Sequence, residues 1–197
     1  YTCYGGTFMS YLVRKADNFL LEWKSNSDRY PLIIKGARQV GKTETIRKFA
    51  QANYKNVIEI NFITEPVYKS IIEEGFSTDS ITKLISRIDP SKHFSAGDTL
   101  IFFDEIQDFP EIATSLKFFK EDGRFDVICS GSLLGVQYHR IASISVGYKI
   151  DYQMYSMDFE EFLWAKGYSE DTMNDMTSHM LTHTPFSSTE HSILIFF

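Results

Sequence analysis

Ile33-Ile34-Lys35-Gly36-Ala37-Arg38-Gln39-Val40-Gly41-Lys42-Thr43 is the stretch that decides how this chain reads. An apolar strand (residues 31–34) enters a tight loop, and from Lys42 onward Ile46, Phe49 and Ala50 recur at helical spacing. Residues 36–43 fit G-x-x-x-x-G-K-[ST], the phosphate-binding loop that joins a strand to a helix. Gly36 and Gly41 let the backbone turn so that successive N–H groups face phosphate oxygens. Lys42 adds a charge for the β- and γ-phosphates, and the Thr43 hydroxyl is placed to ligate Mg²⁺. The helix dipole contributes roughly half a positive charge at the same spot. Gly36, Ala37, Arg38, Gln39, Val40, Gly41, Lys42, Thr43 and Glu44 are therefore the expected contacts of a nucleoside triphosphate.

The next informative stretch is Thr99-Leu100-Ile101-Phe102-Phe103-Asp104-Glu105. Apolar residues running into a pair of acids describe a buried parallel strand whose C-terminal end presents carboxylates. Ligands of open α/β sheets bind at that end. Asp104 is expected to hold the metal shell, and Glu105 to orient and polarise an attacking water. Phe125-Asp126-Val127-Ile128-Cys129-Ser130 reads as another buried strand, closing on Ser130-Gly131-Ser132. Ser130 or Ser132 would then lie beside the acidic pair as a sensor of the γ-phosphate.

Between these landmarks, Val57-Ile58-Glu59-Ile60-Asn61-Phe62 alternates as a strand does. Helices are expected over residues 10–24 with Ser10 as cap, over 65–74, and over 78–88, where Asp89-Pro90 breaks the last. A further helix is expected from Asp108, as cap with Glu111 reaching back, to about Asp122, with Gly123 ending it. Residues 148–155 read as a fifth strand, and residues 158–165 and 169–180 as helices.

Hydrophobic residues at 43% and charged residues at 23% describe an ordinary globular chain. A formal net charge of −6 argues against a surface dedicated to nucleic acid. Cys3 and Cys129 make no disulfide framework, and Cys129, in an apolar run, reads as a reduced core residue. No stretch is long and apolar enough to span a membrane, no signal-peptide pattern opens the chain, and the simplest compartment is cytoplasmic. None of His93, His139, His179, His183 and His191 is spaced with partners as a zinc site requires. His179 and His183, one helical turn apart, read as a solvated face. The guanine-reading Asn-Lys-x-Asp is missing, so adenine is the expected base. Residues 1–8 read as a leader before Met9, and the apolar run Ile193-Leu194-Ile195-Phe196-Phe197 suggests a piece of a longer protein.

The order of P-loop strand, intervening strand, acidic-pair strand and polar-ended strand resembles the AAA+ branch of P-loop ATPases. Residues 36–43, Phe103-Asp104-Glu105-Ile106-Gln107, Ser130-Gly131-Ser132 and Met157-Asp158-Phe159-Glu160-Glu161-Phe162 together look like a prokaryotic AAA+ family. Its members usually carry a C-terminal domain of unknown function, sometimes likened to a nuclease. The similarity runs from about Met9 to the end. It assigns Lys42 and Thr43 to phosphate and Mg²⁺, Asp104 and Glu105 to metal and water, and the Ser130 region to the sensor. Asn61 matches the place where many AAA+ proteins hold a polar residue that restrains the catalytic glutamate. In one respect the chain departs from the pattern. Many relatives have Gly-Arg before the last strand, where this chain has Gly147-Tyr148, which puts an arginine finger in doubt and leaves Arg124 or Arg140 as stand-ins.

The expected architecture is α/β: a P-loop NTPase of the AAA+ type, a doubly wound parallel sheet of about five strands with helices on both faces. The expected divisions are a leader (1–8), an N-terminal helix (9–26), an AAA+ ATP-binding domain (27–166) and the start of a helical C-terminal region (167–197). The expected activity is Mg²⁺-dependent ATP binding and hydrolysis that drives or gates a C-terminal domain or a partner, with homo-oligomerisation open. The rival is an ATP-binding switch with little turnover, favoured by the missing arginine and opposed by the Asp104-Glu105 pair. A phosphoryl transferase acting on a small molecule would need an arginine-rich lid, and the sequence offers no such cluster.

Overall fold

The computed structural model describes residues 12–132 and 146–184. Ser10, Arg140 and the apolar run 193–197, each singled out by sequence, lie outside the described residues. The chain divides into two compact units, residues 16–156 and residues 1–15 with 157–197.

The larger unit is built on a sheet of five parallel strands: β1 (Leu32–Lys35), β2 (Asn56–Asn61), β3 (Thr99–Asp104), β4 (Asp126–Gly131) and β5 (Ile150–Gln153). Their spatial order is β2-β3-β4-β1-β5. Strand alternation sorts the side chains into two cores. Leu32, Ile34, Leu100, Phe102 and Ile128 face α1 (Lys15–Ser25) and α2 (Lys42–Asn53), meeting Leu20, Trp23, Ile46 and Phe49. Ile33, Ile101, Phe103, Val127 and Cys129 face the opposite way, onto α3 (Thr78–Ile88) and α4 (Ser115–Asp122) through Ile81, Ile85, Leu116 and Phe119. All six residues of β3 are buried, as a strand covered on both faces requires. Each such aliphatic or aromatic side chain stabilises the fold by about 1.5–3 kcal/mol. The expectation of a parallel sheet wound on both faces holds.

The ends of the strands are tied as well. Arg29, before β1, forks onto Asp126 at the start of β4 with both N···O distances at 2.7 Å, and the Tyr54 hydroxyl after α2 donates to the same carboxylate at 2.7 Å. Burial pushes the Tyr54 phenol well above its ordinary range.

Local departures from the sequence reading have identifiable causes. The helix expected over 65–74 is a 3₁₀ segment, Pro66–Ile72, which buries Tyr68 and Ile71, the two residues its three-per-turn period aligns. The helix expected from Asp108 begins only at Ser115, after 3₁₀ turns at Ile106–Asp108 and Pro110–Thr114. Pro110 disfavours a helical conformation at Phe109, whose φ of −145° breaks the run. Asp108 caps no helix there and instead pairs with Lys69. Gly123 does end α4, in the left-handed conformation at φ 69°. The first helix starts at Lys15, five residues later than the pattern suggested.

In the smaller unit the described residues form α5 (Phe159–Ala165) and α6 (Glu170–Thr182). Asp158 closes a reciprocal capping box with Glu161. Glu161 also accepts the Lys15 backbone N–H at 2.8 Å and pairs with Arg14 at 3.1 Å. His179, in the last turn of α6, is half-buried and His183, just beyond it, is exposed, and among the described residues no cluster of His, Cys, Asp and Glu could hold a metal ion by itself. No helix of the described residues is long and apolar enough to cross a membrane.

Candidate functional site

The strand order places the polar ends of β2 and β4 on either side of β3. Asn61 is in register with Asp104 across the β2–β3 pair, and Phe103 with Cys129 across β3–β4, so Ser130 closes β4 beside Asp104. Next to β4 lies β1, with Ile34 in register with Ser130 and Lys35 with Gly131. The loop that leaves β1 therefore rises beside the acidic end of β3, although the two strands are not neighbours.

That loop carries two left-handed residues, Gln39 (φ 62°) and Gly41 (φ 96°), before α2 starts at Lys42. Alternation of this kind gathers backbone N–H groups into an anion-binding concavity. Lys42 is buried, and its Nζ donates to the carbonyls of Gly36 at 3.1 Å and Ala37 at 2.6 Å, closing the loop on itself. Burial holds the Lys42 ammonium below its ordinary pKa, opposed by the charges of Glu105 and Asp104.

Asp104 is 3% exposed and its carboxylate is shared among four donors. Thr43 Oγ1 lies 3.1 Å from Oδ2, and Asn61 Nδ2 lies 3.2 Å from the same oxygen. The Ser130 hydroxyl and the Glu105 backbone N–H, the latter at 3.0 Å, both donate to Oδ1. Asn61 is itself oriented by a turn, its Oδ1 accepting the N–H groups of Ile63 and Thr64 at 3.0 Å. These contacts bring together five of the residues singled out by sequence: Thr43, Asn61, Asp104, Glu105 and Ser130.

Glu105 stands in the left-handed region, φ 57° and ψ 44°, a conformation a non-glycine residue adopts at a cost. Its carboxylate accepts the side-chain amide of Gln107, while Asn61 is engaged with Asp104. Gln107 in turn accepts the Ser132 backbone N–H at 3.1 Å. Arg38, Gln39, Lys42, Thr43, Arg47 and Glu105 line an open cleft of about 710 Å³, within the range of small-molecule sites. Arg47 crosses to Glu59 on β2 at 2.6 Å at its rim.

Sequence reasoning did not assign a role to Gln107, although its polar side chain two residues after Glu105, between buried Ile106 and Phe109, was a visible signal. It also missed the neighbour of Gly36: a Cβ there would lie 2.2 Å from the Met154 carbonyl oxygen, beyond β5. Tyr148 precedes β5 and Arg124 precedes β4, at the N-terminal end of the parallel strands, opposite the end that carries Asp104. Arg124 is held there by Asp122 and Asp79.

No match is found among curated proteins. Among solved structures, the chain is similar to C. elegans PCH-2, with a TM-score of 0.45 and 11% identity over 90% of this chain and 50% of that one. It is also similar to a chain in the structure of Drosophila ORC bound to GC-rich DNA and Cdc6, with a TM-score of 0.42 and 10% identity over 82% of this chain and 62% of that one. A model of the AAA domain (AAA_14) matches residues 28–163, a span that includes the loop around Lys42, the acidic end of β3 and the polar end of β4, and the chain belongs to that AAA+ ATPase family.

Proposed function

We propose that this chain binds Mg·ATP in the cleft at the strand ends and hydrolyses its β–γ phosphoanhydride. The observation that carries the reading is the 3.1 Å approach of the Thr43 hydroxyl to the Asp104 carboxylate. A hydroxyl and a carboxylate side by side are hard oxygen donors, and they suit a Mg²⁺ ion that completes its shell with water and substrate phosphates. When bound there, Mg²⁺ supplies charge neutralisation on the phosphate oxygens.

The chain's own residues divide the remaining work. The loop of residues 36–43 cradles the phosphates, and Lys42 exchanges its two carbonyl partners for phosphate oxygens. Asn61 and Ser130 hold the Asp104 carboxylate in one orientation, so no reorganisation is needed when substrate arrives. Glu105 takes the proton of the attacking water or polarises it. Nucleotide state is then transmitted to a further domain or a partner, which is the role this reading assigns to turnover.

Phosphate release from Mg·ATP by the chain, by Glu105→Gln and by Lys42→Ala tests the reading, with binding followed separately by a fluorescent ATP analogue. Wild-type turnover, with a loss of about 10²–10⁴-fold in Glu105→Gln and weak binding by Lys42→Ala, supports it. Tight binding with release no faster than in Glu105→Gln overturns hydrolysis. That outcome would instead support an ATP-held switch, the reading favoured by Tyr148 standing where relatives are expected to carry arginine.

A further inference from the structure

We infer that Gln107 is a positioning residue for Glu105, coupling its carboxylate to the C-terminal end of β4. This inference rests on the hydrolytic reading above. It starts from an amide with one available orientation. The Ser132 backbone N–H can only donate and the Glu105 carboxylate can only accept, so the Gln107 side chain must turn its oxygen to the first and its nitrogen to the second.

The backbone builds this bridge at some cost. Glu105 adopts the left-handed conformation, and the 3₁₀ turn Ile106–Asp108 folds back on it, with the Asp108 N–H donating to the Glu105 carbonyl at 3.0 Å. Ile106 is fully buried and Phe109 is 7% exposed, so both flanks of the turn are locked in the core. Asp108 is pinned by Lys69. A turn anchored at both ends presents Gln107 to Glu105 with little freedom. One carboxylate oxygen of Glu105 is occupied by the amide, which leaves the other for water.

The bridge also makes β4 a common support. Through Ser130 the strand end holds Asp104, and through Ser132 and Gln107 it holds Glu105. The two neighbouring acids are thus oriented by residues two apart on one strand end.

Steady-state phosphate release and ATP binding by the full chain test this. Gln107→Ala should lower kcat about tenfold or more, as misplacement of a reacting group does, with KM, ATP affinity and melting temperature unchanged. Gln107→Glu keeps the shape and the acceptor for Ser132 but sets a carboxylate against Glu105, and should lose at least as much. In a Glu105→Gln background, Gln107→Ala should have no further effect, because it acts only through Glu105. Unchanged kcat in Gln107→Ala, or an equal loss in the Glu105→Gln background, overturns the inference while leaving hydrolysis standing. Wild-type turnover no faster than Glu105→Gln overturns both. If Gln107→Ala melts early, Gln107→Glu decides: wild-type turnover in that variant overturns the role, and loss of turnover at normal melting temperature supports it.

Discussion

Gly36 sits so close to Met154 that a Cβ added to it would come within 2.2 Å of the Met154 carbonyl oxygen. The glycine that opens the loop after β1 is thus a packing residue, pressed against the chain as it leaves β5. The same region is strapped by the Met154 N–H, which donates to the Lys35 carbonyl at 2.7 Å. Backbone on backbone cannot yield by a rotamer change. Gly36→Ala should therefore destabilise the fold by about 1–3 kcal/mol, as overpacking does, and weaken ATP binding in parallel. Urea unfolding and nucleotide titration of the same sample check both, and unchanged stability would disprove the packing role.

Thr43 and Asp104 make a second, separable prediction. Chelation with EDTA should weaken ATP binding by the wild-type chain. Thr43→Ala should bind ATP as wild type does without metal, yet gain little when Mg²⁺ is added. The expected loss of the metal-dependent gain is about tenfold or more, the scale of one hydrogen bond to a charged group. Calorimetric titrations with and without EDTA decide it, and an undiminished Mg²⁺ effect in Thr43→Ala would place the ion elsewhere.

Asp158 offers a test in the smaller unit. Its carboxylate lies below the ordinary Asp range because it accepts the Glu161 backbone N–H, with Lys15 adding to the effect. The ion pair with Lys15 is half exposed on both sides and contributes little; the helix cap is the larger effect. Asp158→Ala should cost about 0.5–2 kcal/mol of local stability at neutral pH. A carboxyl whose folded pKa is depressed stabilises fully above its unfolded pKa and loses that contribution as pH falls through the folded value. The difference between variant and wild type in amide exchange of α5 should accordingly persist at pH 5 and vanish in strong acid.

Much of the site was legible along the chain because its parts are local. A strand, a glycine loop and Lys42-Thr43 at the start of a helix are contiguous, and the run from Leu100 to Glu105 announces a buried strand ending in acids. The capping box at Asp158 and the left-handed end of α4 at Gly123 follow from near neighbours in the same way. Where Pro110 interrupts a helical pattern, local spacing alone misplaced the start of α4 by seven residues, because a proline's effect on its predecessor outweighs periodicity.

By itself the sequence determined which strands exist, that β3 is buried on both faces, and which residues are the candidates for phosphate and carboxylate chemistry. Only the tertiary structure decided who touches whom. The insertion of β4 between β1 and β3 sets Ser130 beside Asp104. The pairing of β2 with β3 hands Asn61 to Asp104. The physical reason is range: turns, caps and alternation are governed by residues within a few positions. Strand order and the contacts it creates join residues separated by 26 to 61 positions, and burial of the whole sheet selects them.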